Sequence, residues 1–343
     1  MELDELKRLL ESARKPKAYW GFECSGLMHL GMGLITGFKI RDLVEAGFDF
    51  TIFLADWHSW INNKMGGDME KIRLVGEYFK HCFTALGLPP ERVRYRWSSE
   101  LTRDQRYWEV VIKVAKASTL SRVRRALPIM GRGLEAGDVE AAWMIYPCMQ
   151  VADIFYMDLD VACGGIDQRK AHMLARDVAE RLGFRKPVCI HTPLLMGLEG
   201  PRMIESFDED TKTSLAIASK MSKSTPERCI FIHDEPEEIK AKIRKAYCPP
   251  RSVEENPILE LARLVIFPES GKLEVKTREG RMEFESYEKL AEIYARGGLH
   301  PLDLKEAIAE ALIEMLKPVR DYFRGRRLLE EVKEEVAKAA SNF

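Results

Sequence analysis

The 343-residue chain is 46% hydrophobic and carries 53 Lys and Arg against 54 Asp and Glu, for a formal net charge of -1. That length predicts a sizeable core and roughly two domains, and the balanced charge excludes a surface that is basic throughout while allowing a local nucleic-acid face. Seven scattered cysteines without C-x-x-C spacing, no apolar run near the ~18 residues of a membrane span, and a charged opening MELDELKRLLESARKPK predict a soluble, cytoplasmic protein without a zinc site or a membrane partner.

AYWGFEC (18–24) reads as a first strand, broken at Ser25 and Gly26, and a helical pattern follows from about Met28 to Ala46. FDFTIFLAD (48–56) has the β-branched and aromatic make-up of a second, buried strand. A helix over roughly 69–87 ends at Gly87, ahead of Pro89 and Pro90. RVRYRW (92–97) is a short third strand, and 103–145 reads as helical with a polar break around 130–138. YPCMQVADIF (146–155) predicts a further helix, to about Tyr156, with Tyr146, Gln150 and Asp153 on one stripe. LDVACGG (159–165) is a strand, 167–182 a helix, and PVCIHTPLL (187–195) a last strand.

Strands alternating with helices predict an α/β fold, a Rossmann-type parallel sheet with right-handed crossovers. The alternation stops near residue 235, and helical patterns such as 301–323 follow, with a small hairpin over 272–287 turning at Glu279–Gly280. The expected domains are 1–235, with a helical insertion at about 97–145 and a long loop at about 197–226, and a mostly helical 236–343.

The first strand leads into GFECSGLMHLGMG (21–33), a strand, glycine turn and helix start of the kind that holds phosphates. His29 lies in the first turn of that helix. Further on, SKMSKS (219–224) sets Lys220 and Lys223 in a long segment, where two ammonium groups suit a polyphosphate. His-Leu-Gly-Met after the first strand and Lys-Met-Ser-Lys-Ser after the last resemble the paired signatures of class I aminoacyl-tRNA synthetases. Met32 departs from that pattern by replacing its second histidine.

YPCMQVADIF followed by GGIDQRKAHMLARDVA (164–179) resembles tyrosyl-tRNA synthetases of the archaeal and eukaryotic type. The resemblance implies a tyrosine–tRNA ligase that uses ATP with Mg²⁺, no protein-held metal, and tRNA(Tyr), L-tyrosine and ATP as partners. By resemblance, Asp153 and Tyr19 meet the substrate phenol, while Tyr146, Gln150 and Gln168 surround its α-amino group and ring edge. His29, Lys220 and Lys223 are the implied catalytic groups, and Gly21, Gly31, Gly33, Met221, Ser222 and Ser224 complete the implied ATP site. A buried carboxylate needs a donor, and a phenolic O–H is one. Rejecting an analogue that lacks the hydroxyl follows from leaving such a group unpaired, and tyrosyl-tRNA synthetase is itself the standard example of that asymmetry.

Tryptophanyl-tRNA synthetases share the Tyr-Pro-Cys-x-Gln helix, but Asp153 and the Asp-Gln-Arg of 167–169 favour tyrosine over that alternative. A non-catalytic, RNA-binding relative is the other alternative, favoured only by Met32 and opposed by the intact lysine signature. ADWHS (55–59) matches the family's floor segment, with His58 read either as a substrate contact or as a satisfied structural histidine. HPLDLKEAI (300–308) resembles an anticodon-reading element, with His300 and Asp303 facing the tRNA, so that 236–343 is expected to be an anticodon-binding domain. An aromatic partner is expected within 270–285, with Phe284 matching by type and Arg278 by position. Arg132 and Arg169 are the expected acceptor-end contacts. The insertion, with Val114, Leu120, Leu127, Ile129 and Met130, is expected to form a homodimer interface, core packing being the other reading of these residues.

Overall fold

The structure, a computed structural model, describes residues 3–11, 15–130, 140–201, 211–223 and 225–341. It forms two compact units that interleave along the chain. The first comprises Met1–Gly26, Ile40–Pro193 and Glu330–Phe343, the second Leu27–Lys39 and Leu194–Leu329. The boundary expected near residue 235 falls inside the second unit.

In the first unit β1 (Lys17–Phe22), β2 (Asp49–Leu54), β3 (Arg94–Trp97), β4 (Val161–Gly165) and β5 (Val188–Thr192) make one sheet in the order β3-β2-β1-β4-β5. All four pairings are parallel. Every residue of β2 after Asp49 is buried, as expected for a strand covered on both faces. The strand order reverses between β1 and β4, which set Tyr19 beside Ala162 and Trp20 beside Cys163. Open α/β sheets place their ligand crevice at such a switch point.

The expected insertion resolves into helices Gln105–Lys116 and Leu120–Ala126 and a 3₁₀ turn Leu127–Met130. Helix Tyr146–Tyr156 follows, with the bounds its pattern predicts. Tyr107, Val111 and Val114 pack with Met149, Ala152, Tyr19 and Phe53 into one core. Of the five apolar residues expected at an interface, Val114, Leu127, Ile129 and Met130 are buried within the chain, and only Leu120 is largely exposed. Helical spacing identifies an apolar stripe but not what covers it.

Three expectations about helices and loops are corrected. The helix expected from Met28 begins as a π-helix, Gly31–Ile35, and becomes α-helical only over Thr36–Glu45. Part of the expected long loop is a helix, Thr211–Ser219, too short for its periodicity to stand out. The helix expected over 301–323 is two, Pro301–Met315 and Lys317–Phe323, with Pro318 near the start of the second. The hairpin forms as read: β6 (Leu273–Thr277) pairs antiparallel with β7 (Gly280–Phe284), and Thr277 faces Gly280. Gly280 takes φ 140°, a backbone conformation that favours glycine.

Candidate active site

In the first unit, helix Tyr146–Tyr156 delivers the predicted polar stripe into the core. Asp153 is 1% exposed, and two side chains already hold it: Tyr107, which the sequence did not mark, and His58 of the ADWHS segment. The Tyr107 hydroxyl donates to Oδ1 at 2.8 Å, and His58 Nε2 lies 3.1 Å from Oδ2. Burial opposes protonation of His58, but the Asp153 charge and contact outweigh it and raise the imidazole pKa. The donor expected for Asp153 from the sequence is the substrate phenol; within the chain Tyr107 and His58 already serve it, so it is a pre-oriented carboxylate with capacity left over, since two oxygens offer about four lone-pair sites. His58 acts on Asp153, and its Nδ1 is buried without a hydrogen-bond partner among the described residues. Tyr19, on β1 and 2% exposed, has its pKa raised well above the phenol range by burial and then by the Asp153 charge, so it stays a neutral O–H donor.

The rest of the stripe is also connected. Tyr146 donates to Glu23 Oε1 at 2.8 Å, which also accepts from Asn62 Nδ2 at 2.7 Å. Lys64 Nζ lies 3.5 Å from the other Glu23 oxygen. Glu23 closes the first strand segment and was not singled out in the sequence, where a lone acid carries no pattern. Gln150 Nε2 donates to Gln168 Oε1 at 3.2 Å, and Gln168 Nε2 donates to the Ile129 carbonyl at 3.1 Å. Gln150 Oε1 is buried and without a hydrogen-bond partner among the described residues. Gly164 on β4 lets Gln168 approach: a Cβ there would lie 2.9 Å from Gln168 Cβ and 3.1 Å from His172 Cε1. The result is a connected set of polar side chains in the core, with an oriented carboxylate at one place and, among the described residues, an unpartnered amide oxygen at another.

In the second unit each signature segment is held by its own backbone bridge. His29 bridges Phe231, with Leu30 N–H donating to Ile230 O at 3.0 Å and Ile232 N–H to Met28 O at 3.1 Å. Met196 bridges Lys220. Met32 N–H donates to His29 Nδ1 at 3.4 Å, which leaves the ring proton of the neutral imidazole on Nε2. Burial, then the charges of Lys223 and Lys220, lowers the His29 pKa to about 3. His29 is thus a neutral donor close to two cations, a combination that binds anions. Met32, whose side chain differs from the expected histidine, contributes here through its backbone. Met221 is buried and Ser222 exposed, while Ser224 lies outside the described residues. Gly31 sits 3.3 Å, from its would-be Cβ, to Leu195 Cβ, and Gly33 is buried in the π-helix. Gly21, at the end of β1, is exposed and has only ordinary contacts around its would-be Cβ.

A family model described as tRNA synthetases class I (W and Y) matches residues 11–317. The tyrosine–tRNA ligase of Aeropyrum pernix is 50% identical, over 98% of this chain and 94% of that protein. That of Sulfurisphaera tokodaii is 46% identical, over 99% and 93%. The chain belongs to the class I tyrosyl-tRNA synthetases. Among solved structures of the family, the one from Pyrococcus horikoshii complexed with L-tyrosine superposes with TM-score 0.89 at 41% identity, covering 98% of this chain and 94% of that one. The Aeropyrum pernix tyrosyl-tRNA synthetase gives 0.86 at 47%, with the same coverage. A tryptophanyl-tRNA synthetase from Aeropyrum pernix matches at 20% identity and TM-score 0.71, which carries the fold alone.

The residues expected at tRNA in this family member are spread over both units. Arg169 is exposed at the start of helix Arg169–Ala179 in the first. Arg132 lies outside the described residues. In the second unit His300 caps helix Pro301–Met315, its Nδ1 accepting from Leu302 N–H at 3.2 Å, and Asp303 sits in the first turn. Phe284 is 4% exposed at the end of β7, so its ring has no free face for a base, whereas Arg278 in the hairpin turn is exposed. Matching by residue type failed at Phe284 because alternation along β7 turns that position inward.

Proposed function

We propose that the protein activates L-tyrosine with ATP and transfers it to the 3′ end of tRNA(Tyr). The observation that carries this reading is Asp153, a buried carboxylate fixed by Tyr107 and His58 with Tyr19 in its field. Tyr19 and Asp153 receive the substrate hydroxyl, one donating and the other accepting. Gln150 Oε1, buried and unpartnered, accepts from the substrate ammonium, with Gln168 and Tyr146 beside it. The tyrosine carboxylate attacks the α-phosphorus of ATP, a new P–O bond forms, and pyrophosphate leaves with the electrons of the bond that breaks. The terminal ribose hydroxyl of tRNA then attacks the acyl carbon, and AMP leaves. Neither step needs a protein nucleophile, so positioning and charge stabilisation supply the rate.

His29, as a neutral Nε2–H donor, and Lys220 and Lys223, as cations, stabilise the phosphates as charge shifts to the leaving group. Gly21, Gly31, Gly33, Met221, Ser222 and Ser224 line the ATP site in this reading. Mg²⁺ would accompany ATP as part of that substrate and would supply further charge neutralisation at the phosphates. Arg169 and Arg132 contact the acceptor end of tRNA, and His300 and Asp303 the anticodon, with residues 236–343 as the anticodon-binding portion. The protein acts in the cytoplasm as a homodimer through the 97–145 insertion, which leaves Ile112 and Leu120 exposed. Among the described residues no helix is long and apolar enough to cross a membrane.

The test is amino-acid-dependent exchange of labelled pyrophosphate into ATP. Tyrosine is expected to support exchange, and tryptophan and phenylalanine are not. Equal exchange with tryptophan, or none with any amino acid, overturns the assignment. Light scattering that finds a monomer at micromolar concentration overturns the dimer.

A further inference from the structure

One carboxylate far along the sequence from either signature is buried against a backbone N–H. Glu260 lies on helix Pro257–Leu261, which Asn256 caps by accepting from Ile258 N–H at 3.1 Å and Leu259 N–H at 3.4 Å. Its side chain is 16% exposed, and Arg263 Nη2 approaches Oε2 only to 4.0 Å. Glu260 Oε1 accepts from Met196 N–H at 2.7 Å. Burial raises the Glu260 pKa, opposed by that bond and by Arg263. An acid in this position costs free energy unless its acceptor has a specific use.

The use lies in what Met196 holds. Met196 is paired antiparallel with Lys220. On either side of the pair, Met221 N–H donates to Leu195 O at 2.6 Å and Gly197 N–H donates to Ser219 O at 2.8 Å. This is the pattern of a non-hydrogen-bonded pair, in which the polar groups of the central residues point away from each other. Met196 N–H therefore faces outward along an open edge, and Glu260 is what satisfies it. Residues 195–197 are thus clamped between Glu260 on one side and Ser219–Met221 on the other. The clamp has a firm base. The helix runs on into a π-helix, Ala262–Ile266, that packs against Gly31–Ile35, the segment following His29, and both stretches pack against helix Pro301–Met315.

We infer that Glu260 is a positioning residue for Lys220 and Lys223: its carboxylate fixes the 195–197 edge and so sets where the two ammonium groups stand. It touches neither substrate. The inference rests on the reading of those lysines as phosphate-binding groups.

Glu260→Ala removes the acceptor, and Glu260→Gln keeps a neutral one, since an amide oxygen still accepts from Met196 N–H. In tyrosine-dependent pyrophosphate exchange with the full chain, E260A is expected to raise KM for ATP, or lower kcat, by about tenfold, the loss of roughly one charge-assisted hydrogen bond. KM for tyrosine stays within about twofold, and E260Q stays within about threefold of the wild type in every constant. Unchanged ATP constants in E260A overturn the inference. So does a parallel loss of ATP and tyrosine constants in both variants, which marks a merely structural role. Should E260A fail to fold, Glu260→Asp, which withdraws the carboxylate by one methylene, is expected to raise KM for ATP selectively, and an unaltered KM there overturns the inference equally. A wild type without tyrosine-dependent exchange sinks the reading of the lysines instead, so the two failures are distinguishable.

Discussion

The proposed tyrosine pocket of the first unit and the lysine segment of the second are held in opposite ways. In the pocket, side chains hold side chains: Tyr107 and His58 on Asp153, all three buried, Glu23 on Tyr146, and Gln168 on Gln150. In the lysine segment, backbone holds backbone: 28–30 against 230–232 and 195–197 against 219–221, with the lysine side chains left partly exposed. The difference fits the proposed chemistry. Discriminating one hydroxyl requires fixed, desolvated partners, because an unpaired buried group is costly. Following a polyphosphate whose charge moves requires cations on a segment able to adjust, anchored only at its base.

The contrast breaks most sharply at Asp153. Asp153→Ala is expected to lower kcat/KM for tyrosine in pyrophosphate exchange by on the order of 10²-fold or more, since it removes a charge-assisted acceptor and strands the Tyr107 hydroxyl and His58. A variant within about threefold of the wild type would show that the pocket lies elsewhere. Lys223→Ala is expected to lower kcat by on the order of 10²-fold while KM for tyrosine stays within about twofold. If KM for tyrosine rises in step, the division of labour between the two regions is wrong.

A smaller effect concerns acid. His172 and His191 stack with Nδ1 of the first and Nε2 of the second 3.0 Å apart, and burial lowers their pKa values to about 3 and about 4. Both values lie below the unfolded value near 6.5, so the unfolded chain binds more protons once the pH falls through about 6.5, and stability is lost in that direction. Urea melts at pH 7 and pH 5 are expected to show roughly 2 kcal/mol of acid destabilisation from His172 that His172→Asn does not share. An equal slope in the two proteins removes the buried-neutral assignment. The smallest expected effect sharpens the comparison within the pocket. Tyr107→Phe removes one donor to Asp153, and selectivity for tyrosine over phenylalanine in exchange is expected to fall about tenfold, with melting temperature little changed. Unaltered selectivity would leave Tyr107 as packing alone.

Much of this was readable along the chain because local pattern carried it. Helix Tyr146–Tyr156 announced itself by a polar stripe at i, i+4 and i+7, and the parallel sheet by apolar runs alternating with helical periods. Short elements escaped: the π-helix at Gly31–Ile35 and the helix Thr211–Ser219 span too few residues for a period to register. Tyr107 and Glu23 escaped, and the role of His58 stayed open between two readings, for another reason. Their partners lie 46, 95 and 123 residues away in sequence, and nothing local in a Tyr, His or Glu reveals a distant contact.

The sequence by itself determined which groups are present: an acid, an amide and a phenol on one helix stripe, and two lysines in one short run, since helical period and spacing are properties of neighbouring residues. Only the tertiary structure decided what those groups can do. It showed that Asp153 arrives already oriented, that Met32 serves His29 through its backbone, that Phe284 is turned inward, and that Glu260 closes an open strand edge. Each of these depends on burial and on contacts between distant residues, which are set by packing and not by the order of the chain.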